Sequence, residues 1–223
     1  MTTQPVTLDI ISDPVCPWCL IGKAELDVAL AQRPDHPFTI AWHPFQLNPD
    51  MPAEGMDRDA YLQAKFGDGG RSMNAQIAER AEALGITLAK VTRQPNTFDA
   101  HRVIHWAGVE HLQSPVVDAI MRAHWQEGRD IGDAATLAQI AGDAGMDRDM
   151  VARLLASDAD RDTVAAREAH SRERGVSAVP TFIIGNRHAV PGAQPASLWA
   201  RVIADLTQDT AAGGDRKDDA TTA

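Results

Sequence analysis

The chain has 223 residues, enough to bury a substantial hydrophobic core without a disulfide or a metal to stabilise it. It carries 21 lysines and arginines against 31 aspartates and glutamates, and the resulting net charge of −10 argues against nucleic acid or an anionic membrane surface as a partner. The sequence has no long apolar run and no basic segment followed by an apolar one. We therefore expect a cytoplasmic protein that does not bind membranes.

The first 50 residues predict a β-α-β unit. Residues 6–11 form a short β-branched run typical of a strand, residues 16–30 carry apolar side chains at helical spacing before Pro34, and residues 38–43 give a second strand signal. Parallel strands joined by a helix take a right-handed crossover. The turn that begins the helix is therefore expected at the carboxyl edge of the first strand, where open α/β sheets hold their sites.

The middle of the chain predicts helices and the end returns to strands. Residues 51–174 form a helix-rich block whose apolar residues keep helical spacing from Ile77 onward, with Asp133 and Asp147 as expected N-caps and Gly175 as a helix stop. Residues 180–184 and 187–190, joined by Gly185-Asn186, predict a tight hairpin, and residues 197–206 predict a last helix. Small, polar and acidic residues follow, which favours disorder.

These elements predict an α/β protein: a thioredoxin-like fold with a large all-helical insertion after the second strand. The expected domains are a discontinuous thioredoxin-like domain of residues 1–50 and 175–208, a helical insertion domain of residues 51–174, and a disordered acidic tail of residues 209–223.

Both cysteines of the chain stand in one motif, Cys16-Pro17-Trp18-Cys19, at the predicted strand-to-helix turn. Residues three apart in a helix lie on neighbouring turns, close enough for a disulfide. Cys16 would open the helix, where free N–H groups and the helix dipole favour a thiolate, so it is the expected nucleophile. Cys19, one turn further in, is the expected resolving thiol, and Pro17 suits the first helical position.

Two other interpretations of this motif are weaker. A structural zinc site needs about four ligands, and the chain has no second cysteine pair. A structural disulfide here would close a very short loop, which stabilises a fold least. A redox pair is favoured because the motif also stands in a strand-to-helix context.

Val179-Pro180 stands at the start of the predicted third strand, opposite the cysteine turn. Only about one X-Pro bond in twenty is cis in folded proteins, but a strand that begins at this edge of the sheet favours a cis bond. Such a bond would let Val179 offer its N–H and C=O to an extended substrate segment. The alternative is an ordinary trans proline that opens a strand.

Motifs along the whole folded length resemble those of the DsbA-like oxidoreductases, and more closely those of the FrnE-type branch of cytoplasmic members. One departure is Ala178, where the branch commonly has glycine. The matching residues are Ser12-Asp13, Cys16-Pro17-Trp18-Cys19, Gly22, Phe45, Leu47-Asn48-Pro49, Asn96-Thr97, Ala100-His101, Gly175-Val176, Val179-Pro180 and Gly192-Ala193-Gln194.

The resemblance implies an enzyme, a protein-disulfide oxidoreductase or isomerase. It implies thiol-disulfide exchange on disulfide-containing proteins or small thiols, with Cys16 as nucleophile, Cys19 as resolver and Pro180 as the cis-proline. No resident cofactor is expected beyond the Cys16–Cys19 disulfide. Glutathione is a candidate co-substrate and a homodimer a candidate assembly.

Two alternatives stay open. The second hypothesis is a glutathione-dependent isomerase or transferase, because the same superfamily includes relatives that resemble 2-hydroxychromene-2-carboxylate isomerases and kappa-class glutathione transferases. Those relatives typically carry serine where Cys16 stands. The third hypothesis is a binding module in which the disulfide is incidental.

The candidate substrate-binding residues are Pro17, Trp18, Val179, Phe45 and His101. His101 and His105 are four apart on a predicted helix, a spacing that can hold a metal, but a third ligand is missing and no metal is expected. Asp13 precedes Cys16 by three positions and could either cap the helix or relay a thiol proton; the sequence leaves both roles open.

Overall fold

The computed structural model describes residues 5–67 and 69–214, which form a mixed α/β fold. Its strands are β1 (Val6–Ser12), β2 (Phe38–Pro44), β3 (Met56–Asp57), β4 (Arg93–Gln94), β5 (Thr181–Ile184) and β6 (His188–Pro191). Its helices are α1 (Pro17–Gln32), α2 (Arg58–Phe66), α3 (Gly69–Ala83), α4 (Phe98–Val109), α5 (Gln113–Trp125), α6 (Ala134–Asp143), α7 (Arg148–Leu155), α8 (Arg161–Glu173) and α9 (Ala196–Gly214).

The central sheet has four strands in the order β2-β1-β5-β6. β1 and β2 are parallel, with α1 as their crossover, so the predicted β-α-β unit is confirmed. β5 runs antiparallel to β1, and β6 antiparallel to β5. The successive side chains Ile10 and Ile11 of β1 are both buried, because this strand is central and covered on both faces. The sheet therefore holds the end of β1, and the cysteine turn after it, firmly in place.

The hairpin and the helix ends follow the predicted chemistry. Gly185 and Asn186 have φ of +57° and +56°, as a two-residue turn of this kind requires. Asp133 accepts a hydrogen bond from the Thr136 N–H at 2.8 Å, and Asp147 accepts one from the Met150 N–H at 2.9 Å. Both predicted N-caps are therefore confirmed.

The segment between β2 and β5 is helical, with one correction to the expected all-helical insertion. β3 and β4 form an antiparallel ribbon in which Met56 faces Gln94. A Cβ on Gly55, the residue before β3, would lie 2.5 Å from the Gln94 carbonyl oxygen, so only glycine allows this close approach. Strands of two residues are too short to give an alternating pattern, which is why the sequence did not reveal the ribbon.

One hydrophobic cluster runs from the sheet into the inserted helices. The indole N–H of Trp125, at the end of α5, donates to the Pro14 carbonyl at 2.9 Å and so ties the insertion to the cysteine turn. Phe182 of β5 and Trp199 of α9 meet edge to face in the same cluster, with ring centroids 4.7 Å apart. The insertion and the sheet therefore share one core.

The last helix is longer than predicted. α9 continues to Gly214, beyond residue 208, where the sequence predicted that a disordered tail begins. Extending an established helix gains one hydrogen bond for each residue fixed, so the helix can continue without apolar periodicity. The rest of the predicted tail, residues 215–223, lies outside the described residues. Among the helices that the structure describes, none is long and apolar enough to cross a membrane.

Candidate active site

The cysteine turn is built by the end of β1 and the start of α1. Cys16 is the N-cap of α1, with extended backbone angles, and Pro17 takes the first helical position. The N–H of Cys19 donates to the Cys16 carbonyl at 3.0 Å. Both cysteines are free thiols, 4% and 1% exposed. Cys16 thus has the predicted position at the helix start, and Cys19 lies deeper.

The second half of the site is the loop before β5. The Val179–Pro180 peptide bond is cis. The Cys16 thiol lies 3.5 Å from the Val179 carbonyl oxygen and donates to it. Gly22 of α1 permits this approach, since a Cβ there would lie 3.0 Å from the Pro180 ring. Two motifs 163 positions apart therefore meet as the sequence predicted.

The environment of Cys19 favours its protonated form. Burial raises the pKa of Cys19 well above its usual value, and the hydrogen bond and negative charge of Cys16 raise it further. Cys19 is therefore held as a protonated thiol beside Cys16. Such a thiol needs a base before it can attack a disulfide.

A buried carboxyl group lies behind the cysteines. Asp13 is fully buried, and its Oδ2 accepts the Leu47 N–H at 2.8 Å while its Oδ1 accepts the Val15 N–H at 3.4 Å. Burial raises its pKa to about 7, even though these N–H groups and the Thr97 side chain stabilise the anion. Because α1 is capped by Cys16 without a side-chain bond, Asp13 is not its cap. The predicted capping role is therefore wrong, and the proton relay stays a prediction.

His101 lies next to this carboxyl. Its Nε2 is 3.8 Å from Asp13 Oδ1. Burial lowers the pKa of His101 to about 4, so the ring is neutral near pH 7. The other histidine of the predicted pair, His105, faces away toward Arg167, with 2.9 Å between Nδ1 and the guanidinium. The two histidines therefore face different groups.

A groove of about 260 Å³ opens above Cys16. Pro17, Trp18 and Val179, three of the residues predicted to contact substrate, line it. Phe45 and His101, also predicted to contact substrate, are 2% and 3% exposed, and neither lines the groove. The Arg172 guanidinium covers the Phe45 ring, 4.1 Å from its centre.

The far wall of the groove comes from α2, which the sequence analysis did not predict. Tyr61, Leu62 and Phe66 supply apolar surface, and Arg58 and Lys65 supply positive charge. The Arg58 guanidinium donates to Gln94 Oε1 at 2.5 Å and lies 5.0 Å from the centre of the Trp125 ring. None of the side chains that α2 carries is buried, so its apolar residues gave no core-facing pattern. The sequence feature that could have identified this wall is the amphipathic character of residues 58–66.

The parallel β-α-β unit, the antiparallel hairpin and the cysteine turn facing a cis-proline together define the thioredoxin-like class of protein. Within that class the assignment is specific. A family model described as "DSBA-like thioredoxin domain" matches residues 7–204, and the chain belongs to this family.

Two relatives match almost the whole chain at similar identity. An uncharacterised protein of Bacillus subtilis, YwbO, is 28% identical over 205 residues, which cover 90% of this chain and 96% of the relative. The crystal structure of a probable DsbA oxidoreductase from Streptomyces coelicolor is 27% identical, with a TM-score of 0.82, and the match covers 92% of this chain and 91% of that one. The described fold is therefore that of a DsbA-like oxidoreductase.

A second solved structure relates to the alternative function. A 2-hydroxychromene-2-carboxylate isomerase matches with a TM-score of 0.74 and 18% identity, over 92% of this chain and 98% of that one. At this identity the likeness shows a shared fold alone. The FrnE-type branch stays a prediction.

Proposed function

We propose that the protein is a thiol–disulfide oxidoreductase that uses Cys16 and Cys19 as its redox pair. The observation that carries this proposal is the meeting of the Cys16 thiol with the Val179 carbonyl at a groove, with a second thiol directly behind it. The position of Cys16 at the start of α1 supports a thiolate there, since the positive end of a helix stabilises an anion.

In the reducing direction, the Cys16 thiolate attacks one sulfur of a substrate disulfide and releases the other half as a thiolate. Cys19 then passes its proton to Asp13 and attacks the Cys16 sulfur. The bond between Cys16 and the substrate breaks, and the substrate sulfur leaves as a thiolate. Two electrons pass from the cysteine pair to the substrate disulfide. The reverse sequence inserts a disulfide, and the reduction potential of the pair decides which direction prevails.

Asp13 suits the role of proton acceptor in this scheme. With its pKa raised to about 7, it can both take a proton and release it near neutral pH. The charged carboxylate raises the pKa of Cys19, so protonation of Asp13 removes that repulsion. Once the proton has passed from Cys19 to Asp13, the Cys19 thiolate is therefore no longer repelled by a charged carboxylate.

The proposed substrates are disulfide-containing proteins or small thiols that dock in the groove beside Trp18 and Val179. An extended substrate segment would pair with the backbone of Val179 as an added strand. The proposal includes a cytoplasmic setting, where thiols are kept largely reduced, and glutathione as a candidate co-substrate that recycles the pair. A homodimer also stays part of the proposal.

A second candidate is a glutathione-dependent isomerase or transferase, because the isomerase structure shares the fold over 92% of this chain. An insulin-reduction turbidity assay with dithiothreitol separates the candidates, run on the natural protein, Cys16→Ser and Cys19→Ser. The oxidoreductase proposal predicts that Cys16→Ser loses the activity and that Cys19→Ser accumulates a mixed disulfide on Cys16. Equal turbidity traces for the natural protein and Cys16→Ser would contradict it.

A further inference from the structure

His101 has a nitrogen that no step of the proposed exchange uses. The ring is 3% exposed, and its Nε2 has no hydrogen-bond partner among the residues that the structure describes. Buried polar atoms are almost always paired, because an unpaired one loses its bonds to water without replacement. The nearest polar group on record is Asp13 Oδ1, at 3.8 Å.

The other ring nitrogen identifies the tautomer. A hydrogen bond to the Phe45 backbone raises the pKa of His101, which requires the ring to donate to the Phe45 carbonyl. Because Nε2 has no partner, Nδ1 is the nitrogen that donates. Nε2 then carries the lone pair, 3.8 Å from Asp13 Oδ1, and the ring can accept a hydrogen bond through it but not donate one.

The two oxygens of Asp13 are not equivalent. Oδ2 is held by the Leu47 N–H at 2.8 Å, whereas Oδ1 has the weak 3.4 Å contact with Val15 and faces His101. The Thr97 side chain also bonds the carboxyl, and Oδ1 is the oxygen through which a protonated Asp13 can reach His101. A protonated Oδ1 can donate to Nε2 once the two groups move a few tenths of an ångström closer, whereas a charged Oδ1 is repelled by the Nε2 lone pair.

We propose that His101 is a positioning residue that holds the proton of Asp13 on Oδ1 and so sets the pH range over which Asp13 can exchange that proton with Cys19. The proton exchange with Cys19 rests on the proposed function, whereas the position of the proton on Asp13 does not. The other titratable or charged groups that face the pair are Cys16 and Cys19 from α1 and Arg167 and Glu168 from α8.

The first test follows the Asp13 carboxyl carbon by NMR during a pH titration of the reduced protein. Replacing the acceptor with an apolar ring, in His101→Phe, should lower the Asp13 midpoint by about one pH unit, a roughly tenfold loss of proton affinity. His101→Gln can place an amide oxygen where Nε2 lies and should keep the natural midpoint. The matched control is His124→Phe, the other buried histidine with unpaired nitrogens, which should leave the Asp13 midpoint unchanged.

The second test reads out the chemistry. The rate at which Cys19 resolves a mixed disulfide, followed by release of the second product thiol, should shift its pH profile with the Asp13 midpoint in His101→Phe and not in His101→Gln. An unchanged or raised Asp13 midpoint in His101→Phe, or an equal shift in His124→Phe, would overturn the inference.

A measurement on the natural protein does not depend on any variant folding. The ¹⁵N shifts of His101 should report a protonated Nδ1 and an unprotonated Nε2, with Nε2 moving as Asp13 titrates. A protonated Nε2 would overturn the inference. If the Asp13 midpoint shifts as expected but the protein reduces no disulfide, the proposed function fails and the assignment of His101 stands.

Discussion

Replacing Asp13 with asparagine should make the protein more stable at alkaline pH and remove part of its pH dependence. The pKa of Asp13 is raised from 3.8 to about 7 by burial. Between pH 4 and pH 7 the folded protein keeps a proton that the unfolded chain releases, so the free energy of unfolding falls as pH rises through this range. The full penalty is present above pH 7 and is nearly absent at pH 4.

The size of the effect follows from the shift. Three pKa units at 1.36 kcal/mol each correspond to about 4 kcal/mol. Solvent does not screen this carboxyl, since it is fully buried. Asparagine has no charge to bury and keeps an oxygen that can accept the Leu47 N–H. The stability change caused by the substitution should therefore differ by about 4 kcal/mol between pH 8 and pH 4, because effects that do not depend on pH cancel in this comparison.

Urea unfolding of both reduced proteins, at intervals from pH 4 to pH 8, measures this quantity. Asp149→Asn is the matched control, since Asp149 is exposed on α7 and should show no such difference. Parallel curves of stability against pH for the natural protein and Asp13→Asn would refute the reasoning, because they would mean that Asp13 does not titrate between these limits.

Three further predictions concern separate parts of the fold. Gly22→Ala should destabilise the protein by about 1–3 kcal/mol in thermal or urea unfolding, since the new Cβ would lie 3.0 Å from Pro180. It should also slow insulin reduction, and unchanged activity would contradict the close packing of α1 on this loop. Arg58→Gln should slow the reduction of the anionic disulfide 5,5′-dithiobis(2-nitrobenzoate) about tenfold relative to neutral 2,2′-dithiodipyridine, because Arg58 lines the groove. The control is Arg201→Gln at an exposed site, and an equal loss there would contradict a specific role of Arg58. Burial lowers the pKa of His124 to about 3 from 6.5, so stability is full above pH 6.5 and falls by about 2 kcal/mol at pH 5; His124→Phe should remove that loss, and an unaltered acid profile would contradict it.

The sequence predicted the parts of the fold that depend on short, repeated patterns. β1, α1 and β2 were found because their apolar residues follow strand or helix spacing, and the two aspartate caps because their side chains bond the next turn. The candidate redox pair could be proposed because both cysteines stand in one motif. The meeting of Cys16 with Val179 came from recognising two motifs of one fold, since nothing local links positions so far apart.

The sequence could not predict features that depend on what a side chain meets after folding. Asp13 looked equally suited to capping and proton transfer, and only the structure, in which Cys16 is the N-cap of α1, excludes the capping role. His101 was assigned to the cleft, yet it lies behind the cysteines. α2 was missed because its apolar side chains line a groove instead of the core, so burial gave them no distinctive pattern.

The two walls of the groove come from different parts of the fold. Cys16 and Val179 lie in segments that flank strands of the central sheet, and α2 of the insertion forms the opposite wall. Substitutions in α2 can therefore change which molecules the groove accepts while the cysteine turn and the cis-proline loop stay unchanged. A chimaera that receives the 51–94 segment of a relative should inherit that relative's preference among disulfides and keep its own redox potential.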